Sequence, residues 1–197
     1  MSRLINNLEW SDPERSRVAI TDATYQTMES SVTALMEALD LQSWLEQLKD
    51  KKVFVKPNML GAFPAGKHVT TSPELVKTVV CLVRKFEARV TVGDNCGVGG
   101  YGLNQRVAKS TGILEAAQGA YKNVAQKTIP VKLNSRYVNS VVVSRDMIEA
   151  DILISLPVMK THSLTVVTGG VKNMFGIVAG AEKGKLHSAA PGPADFG

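Results

Sequence analysis

The segment DILISLPVMKTH, residues 151–162, joins an apolar strand to a polar loop and thereby indicates the fold class. Residues 151–156 form a short run rich in Ile and Leu, which is typical of a strand. Pro157 ends this run, and Lys160 and His162 follow on the loop beyond it. Ligands of α/β proteins bind beyond the carboxyl ends of parallel strands, so the segment predicts a site as well as a strand.

The same alternation of apolar strands and amphipathic helices extends along the rest of the chain. Strands are predicted at residues 17–22, 52–55 and 89–93, near Val131, and at 138–144. Helices are predicted at residues 28–39, from Pro73 to about residue 86 with Ser72 as its N-cap, and across residues 113–120. This order predicts an α/β fold with a layered, mostly parallel sheet and flanking helices.

The chain is predicted to have three parts. Residues 1–16 are an N-terminal extension, residues 17–187 a single α/β domain, and residues 188–197 a loop-like tail. The sequence after Lys185 contains glycine and proline and shows no closing helix or strand. We therefore expect the sheet to be incomplete at the C-terminus, with the tail as a candidate truncation point.

Composition excludes several classes of function. The 197 residues carry a net charge of +5, which suits a small anionic ligand but is too modest and scattered for nucleic acid. Cys81 and Cys96 form no CxxC motif, so the chain offers no thiolate framework for zinc or an iron–sulfur cluster, and unpaired cysteines fit a reducing cytoplasm. No apolar run approaches the roughly 18 residues of a membrane span. We expect a cytoplasmic protein without a nucleic-acid or membrane partner.

Polar side chains follow three of the predicted strands. They are Lys56 and Asn58 after the strand at 52–55, Asp94 after the strand at 89–93, and Lys160 with His162 after the strand at 151–156. Because the carboxyl ends of parallel strands share one edge, these groups are expected to form one cleft. Asp94 is a candidate metal ligand, although capping a turn is an equal alternative. Lys56 either extends to solvent or points into the cleft.

Two further motifs are ambiguous. Residues 97–102 match G-x-G-x-x-G after a strand, as in nucleotide sites, but a flexible glycine-rich loop is the favoured interpretation. Thr70, Thr71 and Ser72 precede Pro73, where capping of the helix is favoured over anion binding at the helix end.

The segment TGGVKNMFG, residues 168–176, predicts the start of a helix. Thr168 is the expected hydroxyl cap, and Gly169 with Gly170 allow a ligand to approach the backbone. Lys172 falls in the first turn, where a cation opposes the helix dipole. It is therefore a candidate for pairing with a bound anion or for acid–base or nucleophilic chemistry at a lowered pKa. A solvent-exposed lysine is the alternative.

Two of the three histidines flank Lys172 in the sequence. His162 lies ten residues before it and His187 fifteen residues after it, each in a loop-like context. A single loop histidine is more often structural than catalytic, but this grouping makes a catalytic role about equally credible.

Several of these blocks resemble the domain-of-unknown-function family 362. The blocks are VFVKPN (53–58), TTSPE (70–74), Gly93-Asp94, LPVMKTH (156–162) and TGGVKNMFG (168–176), with Lys185 and His187. Many members carry ferredoxin-type cysteine clusters, which implies an iron–sulfur association, although this chain has no such cluster. A more distant similarity to nickel-pincer lactate racemases implies that His162 moves a proton at the substrate's alpha carbon. It also implies that Lys172 holds the pincer cofactor and that His187 ligates nickel.

These observations favour an enzyme that acts on a small anionic, carboxylate-type substrate with a metal or redox cofactor. The expected catalytic residues are His162 and Lys172, and the expected metal ligands are His187 and Asp94. The residues expected to hold the cofactor or anion are Lys56, Asn58, Lys160, Gly169, Gly170 and Lys172. The alternative is a non-catalytic anion- or metal-binding module that partners an iron–sulfur protein or forms a homo-oligomer.

Overall fold

The computed structural model describes residues 3–7, 16–97, 102–163 and 165–192. Its strands are β1 (Arg3–Asn7), β2 (Ser16–Ile20), β3 (Lys52–Pro57), β4 (Arg89–Val92), β5 (Thr128–Lys132), β6 (Ser140–Ser144), β7 (Ile152–Leu156), β8 (Lys160–His162) and β9 (Val166–Thr168). Its α-helices are α1 (Met28–Ala38), α2 (Gln42–Glu46), α3 (Pro73–Lys85), α4 (Asn104–Ser110), α5 (Ile113–Ala116), α6 (Arg145–Ile148), α7 (Gly170–Asn173) and α8 (Gly180–Ala189). Short 3-10 helices span Ala65–Lys67 and Met174–Ile177.

A three-stranded parallel sheet organises the fold, in the order β4-β3-β7. Val55 of β3 lies beside Val92 of β4 and Ile154 of β7, so β4 ends two residues before β3 and β7, which end together. The predicted mixed α/β fold with a parallel sheet is confirmed. Residues from the polar segments that follow these strands line one cavity.

Helix α3 covers this sheet with a continuous apolar face. Four of its valines are buried at the spacing of an amphipathic helix: Val76, Val79, Val80 and Val83. They join Val53 and Val55 of β3 in the main core, whose burial against water stabilises this layer. Ser72 occupies the N-cap position as predicted, but its side chain makes no capping hydrogen bond.

The remaining strands form antiparallel pairs. These pairs are β1 with β2, β5 with β6, and β8 with β9. The strand predicted at 17–22 therefore lies outside the parallel sheet, because it pairs with β1 in the segment expected to be an extension. Sequence periodicity identifies a strand but does not specify its partner, so the pattern carries no information on this point.

The predicted loop-like end after Lys185 is wrong for residues 186–189. Helix α8 continues through Ala189, and Leu186 packs on the small apolar cluster of Val141 and Val143. Glycines at positions 180 and 184 lower the local helix propensity, so the sequence does not predict this helix. Within the described ranges, none of the helices has the length and apolar character needed to cross a bilayer.

Candidate functional site

A cavity of about 610 Å³ opens beyond the carboxyl ends of β3, β4 and β7. Its walls are the segments that follow these strands, the β8–β9 hairpin, α7 and α8. The polar side chains that line it include Asn58, Lys160, His162, Lys172, Lys183 and His187. Five of these six residues are expected from the sequence, and Lys183 is the one that sequence reasoning missed.

A buried ion pair forms the floor of the cavity. Lys56 is fully buried, and its Nζ lies 2.8 Å from Oδ1 of Asp94. The same ammonium donates to Oδ1 of Asn173 (3.1 Å) and to the carbonyl of Pro57 (3.2 Å). Oδ2 of Asp94 accepts the backbone N–H of Met59 (2.8 Å). This pair fixes the two strand ends to each other, and Lys56 is not among the residues that line the cavity.

Gly176 packs directly on this ion pair. A Cβ atom at this position would overlap the Asp94 carboxylate and would lie 2.8 Å from Cε of Lys56. The carbonyl of Gly176 accepts both the backbone N–H (3.2 Å) and the side-chain amide (3.0 Å) of Asn95. The 3-10 helix that contains Gly176 is thereby tied to the segment after β4. Only glycine permits this close approach.

Lys160 is held at the cavity wall by neutral acceptors. Its Nζ donates to Oδ1 of Asn58 (3.0 Å) and to the carbonyl of Val69 (2.6 Å). Partial burial, followed by the positive charge of Lys172, lowers the pKa of Lys160 below its ordinary value, while Asp94 opposes this shift. Asn58, expected to touch the ligand, here orients the amine of Lys160.

Thr168 stabilises the hairpin instead of capping a helix. Its hydroxyl donates to the carbonyl of Val158 (2.7 Å) and accepts the backbone N–H of Lys160 (3.0 Å). The N-cap of α7 is Gly169, and no side chain caps it. The predicted hydroxyl cap is therefore wrong, because the Thr168 hydroxyl forms its hydrogen bonds with Val158 and Lys160 instead of with α7.

Lys172 projects from α7 and has no partner among the residues that the structure describes. Its side chain is half buried, and it makes no hydrogen bond or ion pair with any residue that the structure describes. Burial lowers its pKa. The dipole of α7 has little effect on Lys172, because the helix has only four residues and Lys172 lies in its last turn as well as its first. The relevant feature is that no side chain in the described part of the chain pairs with this ammonium.

The two histidines face the same cavity from regular elements, not from the loops that the sequence suggests. His162 is on β8, and its Nδ1 accepts the backbone N–H of Thr165 (3.2 Å), which assigns the proton of the neutral ring to Nε2. His187 is on α8, and its ring meets that of Phe175 edge-on at 5.6 Å. Burial and the charge of Lys172 lower the pKa of both imidazoles, so the neutral forms predominate at pH 7.

Lys183 joins α8 to the segment after β4. It is 3% exposed, and its Nζ donates to the carbonyls of Asn95 and Cys96 (3.0 Å to the latter). Burial lowers its pKa to about 8, although the carboxylate of Asp94 opposes this shift. Lys183 and His187 are four residues apart and share one helix face, a spacing that would have revealed the pair once a helix was recognised.

Other predicted site residues lie elsewhere. Gly169 and Gly170 do not line the cavity, and a Cβ atom at either would meet nothing within 4 Å. Four residues of the glycine-rich motif at 97–102, residues 98–101, fall outside the described part of the chain, so its nucleotide role stays a prediction.

The donor set limits which metal groups the described residues fit. In the part of the chain that the structure describes, no three His, Cys, Asp or Glu side chains come together. Asp94 is engaged by Lys56, which leaves His162 and His187 as the cavity's imidazole donors. An iron–sulfur cluster does not fit, because Cys96 is buried and its pKa is raised to about 12, mainly by that burial.

Comparisons with known proteins identify the family. The chain is 31% identical over 140 residues to the thylakoid-associated protein sll1697 of Synechocystis sp., a match that covers 71% of this chain and 43% of that protein. The chain thus spans less than half the length of this curated relative. No solved structure matches it. A family model described as a domain of unknown function (DUF362) matches residues 53–196, which is most of the chain, so the chain belongs to the DUF362 family.

Proposed function

We propose that the cavity binds a small anion and that the protein is an enzyme acting on a carboxylate-type substrate. One observation carries the proposal: Lys172 is a half-buried cation with no partner among the described residues, in a cavity that two further lysines and two histidines line. Ammonium groups withdrawn from water are normally paired. A bound carboxylate would supply the missing partner.

The geometry suggests a role for each group. Lys172 and the spare donor of Lys160 bind the anion, and Asn58 orients Lys160. His162, with its proton on Nε2 while Nδ1 accepts from Thr165, donates a hydrogen bond to substrate oxygen but accepts no proton at Nε2. The proton-transfer role then passes to His187, whose lowered pKa keeps it in the neutral, proton-accepting form at pH 7.

Metal and cofactor roles stay predictions. A metal at His187 would take its remaining ligands from substrate or water, because Nδ1 of His162 accepts from Thr165 and its Nε2 carries the proton. The implied similarity to lactate racemases, the cytoplasmic location and an iron–sulfur partner also stay predictions. Metal analysis of the purified protein and of a His187→Gln variant tests whether His187 binds a metal.

Binding and proton transfer can be tested separately. Small 2-hydroxy carboxylates are screened for thermal stabilisation, and each binder is then incubated in D₂O while NMR follows exchange of its alpha proton. We expect Lys172→Met to weaken binding severalfold or more, His187→Gln to keep binding but stop exchange, and His162→Gln, which retains an N–H donor, to keep both in part. If no anion stabilises the wild type more than Lys172→Met, the proposal is wrong.

The same experiment addresses the alternative of a non-catalytic binding module. The cavity and its unpaired lysine would serve such a module equally well. Binding without exchange, and without any other conversion of the bound carboxylate, would favour the module. Exchange that depends on His187 would favour the enzyme.

A further inference from the structure

The charges around the cavity do not cancel. Three lysines line it, Lys160, Lys172 and Lys183, and Asp94 is the acidic residue among the described residues that line it. The carboxylate of Asp94 lies 2.8 Å from the ammonium of Lys56 beneath the cavity, so its charge is already balanced. The three lysines therefore face one another without a carboxylate of their own.

The hydrogen-bond partners of these lysines are neutral. Lys160 donates to an amide and a carbonyl oxygen, Lys183 donates to two backbone carbonyls, and Lys172 has no partner among the described residues. Neutral acceptors satisfy N–H groups but leave the positive charge in place. Burial is the main cause of the lowered pKa of Lys160 and of Lys183, and the charge of Lys172 lowers both further, while the carboxylate of Asp94 opposes both shifts.

The acidic residue on α8, Glu182, does not change this balance. Glu182 pairs with Lys185, and the Lys185 side chain is 72% exposed. Neither residue lines the cavity. Their pair is balanced within itself, so it leaves the excess of positive charge inside the cavity and provides a matched position for control variants on the same helix.

We propose that the cavity selects small molecules that carry two negative charges, because one negative charge would leave the lysines around it unbalanced. This inference rests on the proposed anion site and specifies its ligand. The volume of about 610 Å³ accommodates a small organic molecule. Two sources supply the required chemistry: a dicarboxylate, with one charge at each end, and a phosphate monoester, with both charges on one group.

Three probes of similar length separate the number of charges from their source. Butyrate carries one charge, succinate two carboxylates, and propyl phosphate one dianionic phosphate at pH 8. We expect calorimetry to show at least one dianion binding about tenfold or more tighter than butyrate, as a second charge pair in a partly desolvated site allows. The stronger of succinate and propyl phosphate identifies the source. Equal affinities for butyrate and both dianions would overturn this inference and leave the anion site standing.

Lysine variants test which side chains recognise the second negative charge of the ligand. We expect Lys160→Met and Lys172→Met each to reduce the preference for the dianion over butyrate severalfold, while Lys185→Met leaves it unchanged. A preference that survives both variants would overturn the assignment to these lysines. Salt dependence of wild-type binding gives a test that needs no variant, since the affinity of a dianion must fall more steeply with ionic strength than that of butyrate. Failure of all three probes to bind would count against the anion site itself.

Discussion

Gly176 is the position at which the site leaves no room for a side chain. Its backbone lies against Asp94 and Lys56, and its carbonyl accepts two hydrogen bonds from Asn95. Any Cβ atom here must displace a buried ion pair or break the contact with the segment after β4. The residue therefore couples the floor of the cavity to the wall that carries Lys172.

We predict that Gly176→Ala lowers the free energy of unfolding by about 3 kcal/mol or more, because it both overpacks the core and disturbs the ion pair. Urea denaturation measures this loss. Gly170→Ala is the matched control, since a Cβ atom there meets nothing within 4 Å and alanine favours a helix. Equal midpoints for the two variants would contradict the packing argument.

The buried ion pair of Lys56 and Asp94 leads to a second prediction for single residues. Asp94→Asn leaves a buried ammonium without an anion, so we expect a loss of about 3–5 kcal/mol. The double variant Lys56→Met, Asp94→Asn should recover part of this loss, because no buried charge remains. Denaturation of the two single variants and the double variant gives the coupling energy, and additive losses would argue against a buried pair.

Among the elements, α8 depends on one buried side chain for its position. Lys183 bonds the carbonyls of Asn95 and Cys96, while His187, one turn later, contacts Phe175 and faces the cavity. The helix has little apolar surface of its own, since Leu186 is its main contribution to an apolar cluster. The position of His187 therefore follows from the hydrogen bonds of Lys183.

We predict that Lys183→Met loosens α8 and lowers stability by about 2 kcal/mol, because two buried carbonyls lose their donors. Hydrogen exchange of the α8 amides should become faster than in the wild type. Lys185→Met, on the exposed side of the same helix, should leave exchange unchanged. Unaltered protection in Lys183→Met would show that other contacts position the helix.

Several elements were predictable because their signals are local. The strand at residues 151–156 and the helix after Ser72 follow from apolar periodicity and helix-start chemistry, and the parallel sheet then brings Lys160 near Asp94. Strand pairing, the helix around Lys183 and the role of Thr168 were not predictable in this way. Each depends on a distant partner: β1 for β2, the segment after β4 for Lys183, and Val158 in the hairpin for Thr168.

At the scale of the whole molecule, the basic groups of the cavity impose an unusual dependence of stability on pH. The pKa values of Lys160, Lys172, Lys183, His162 and His187 are all lowered by folding, chiefly through burial. A base with a lowered pKa in the folded state binds more protons when the chain is unfolded. Its charged form destabilises the fold, and this penalty is fully present below the folded pKa and disappears as pH rises to the unfolded value.

Lys183 determines the pH range over which stability changes, since folding lowers its pKa from 10.5 to about 8. We predict that its contribution raises the free energy of unfolding between pH 8 and pH 10, by about 3 kcal/mol if the whole window is crossed. Urea denaturation at pH 7, 8, 9 and 10 measures the rise, and its difference between Lys183→Met and Lys185→Met isolates Lys183 from surface lysines. We expect the rise to flatten in Lys183→Met alone. An equal rise in both variants would show that Lys183 is not the group that titrates. A bound dianion stabilises the charged lysines, so its presence should flatten the rise of the wild type with pH in the same way.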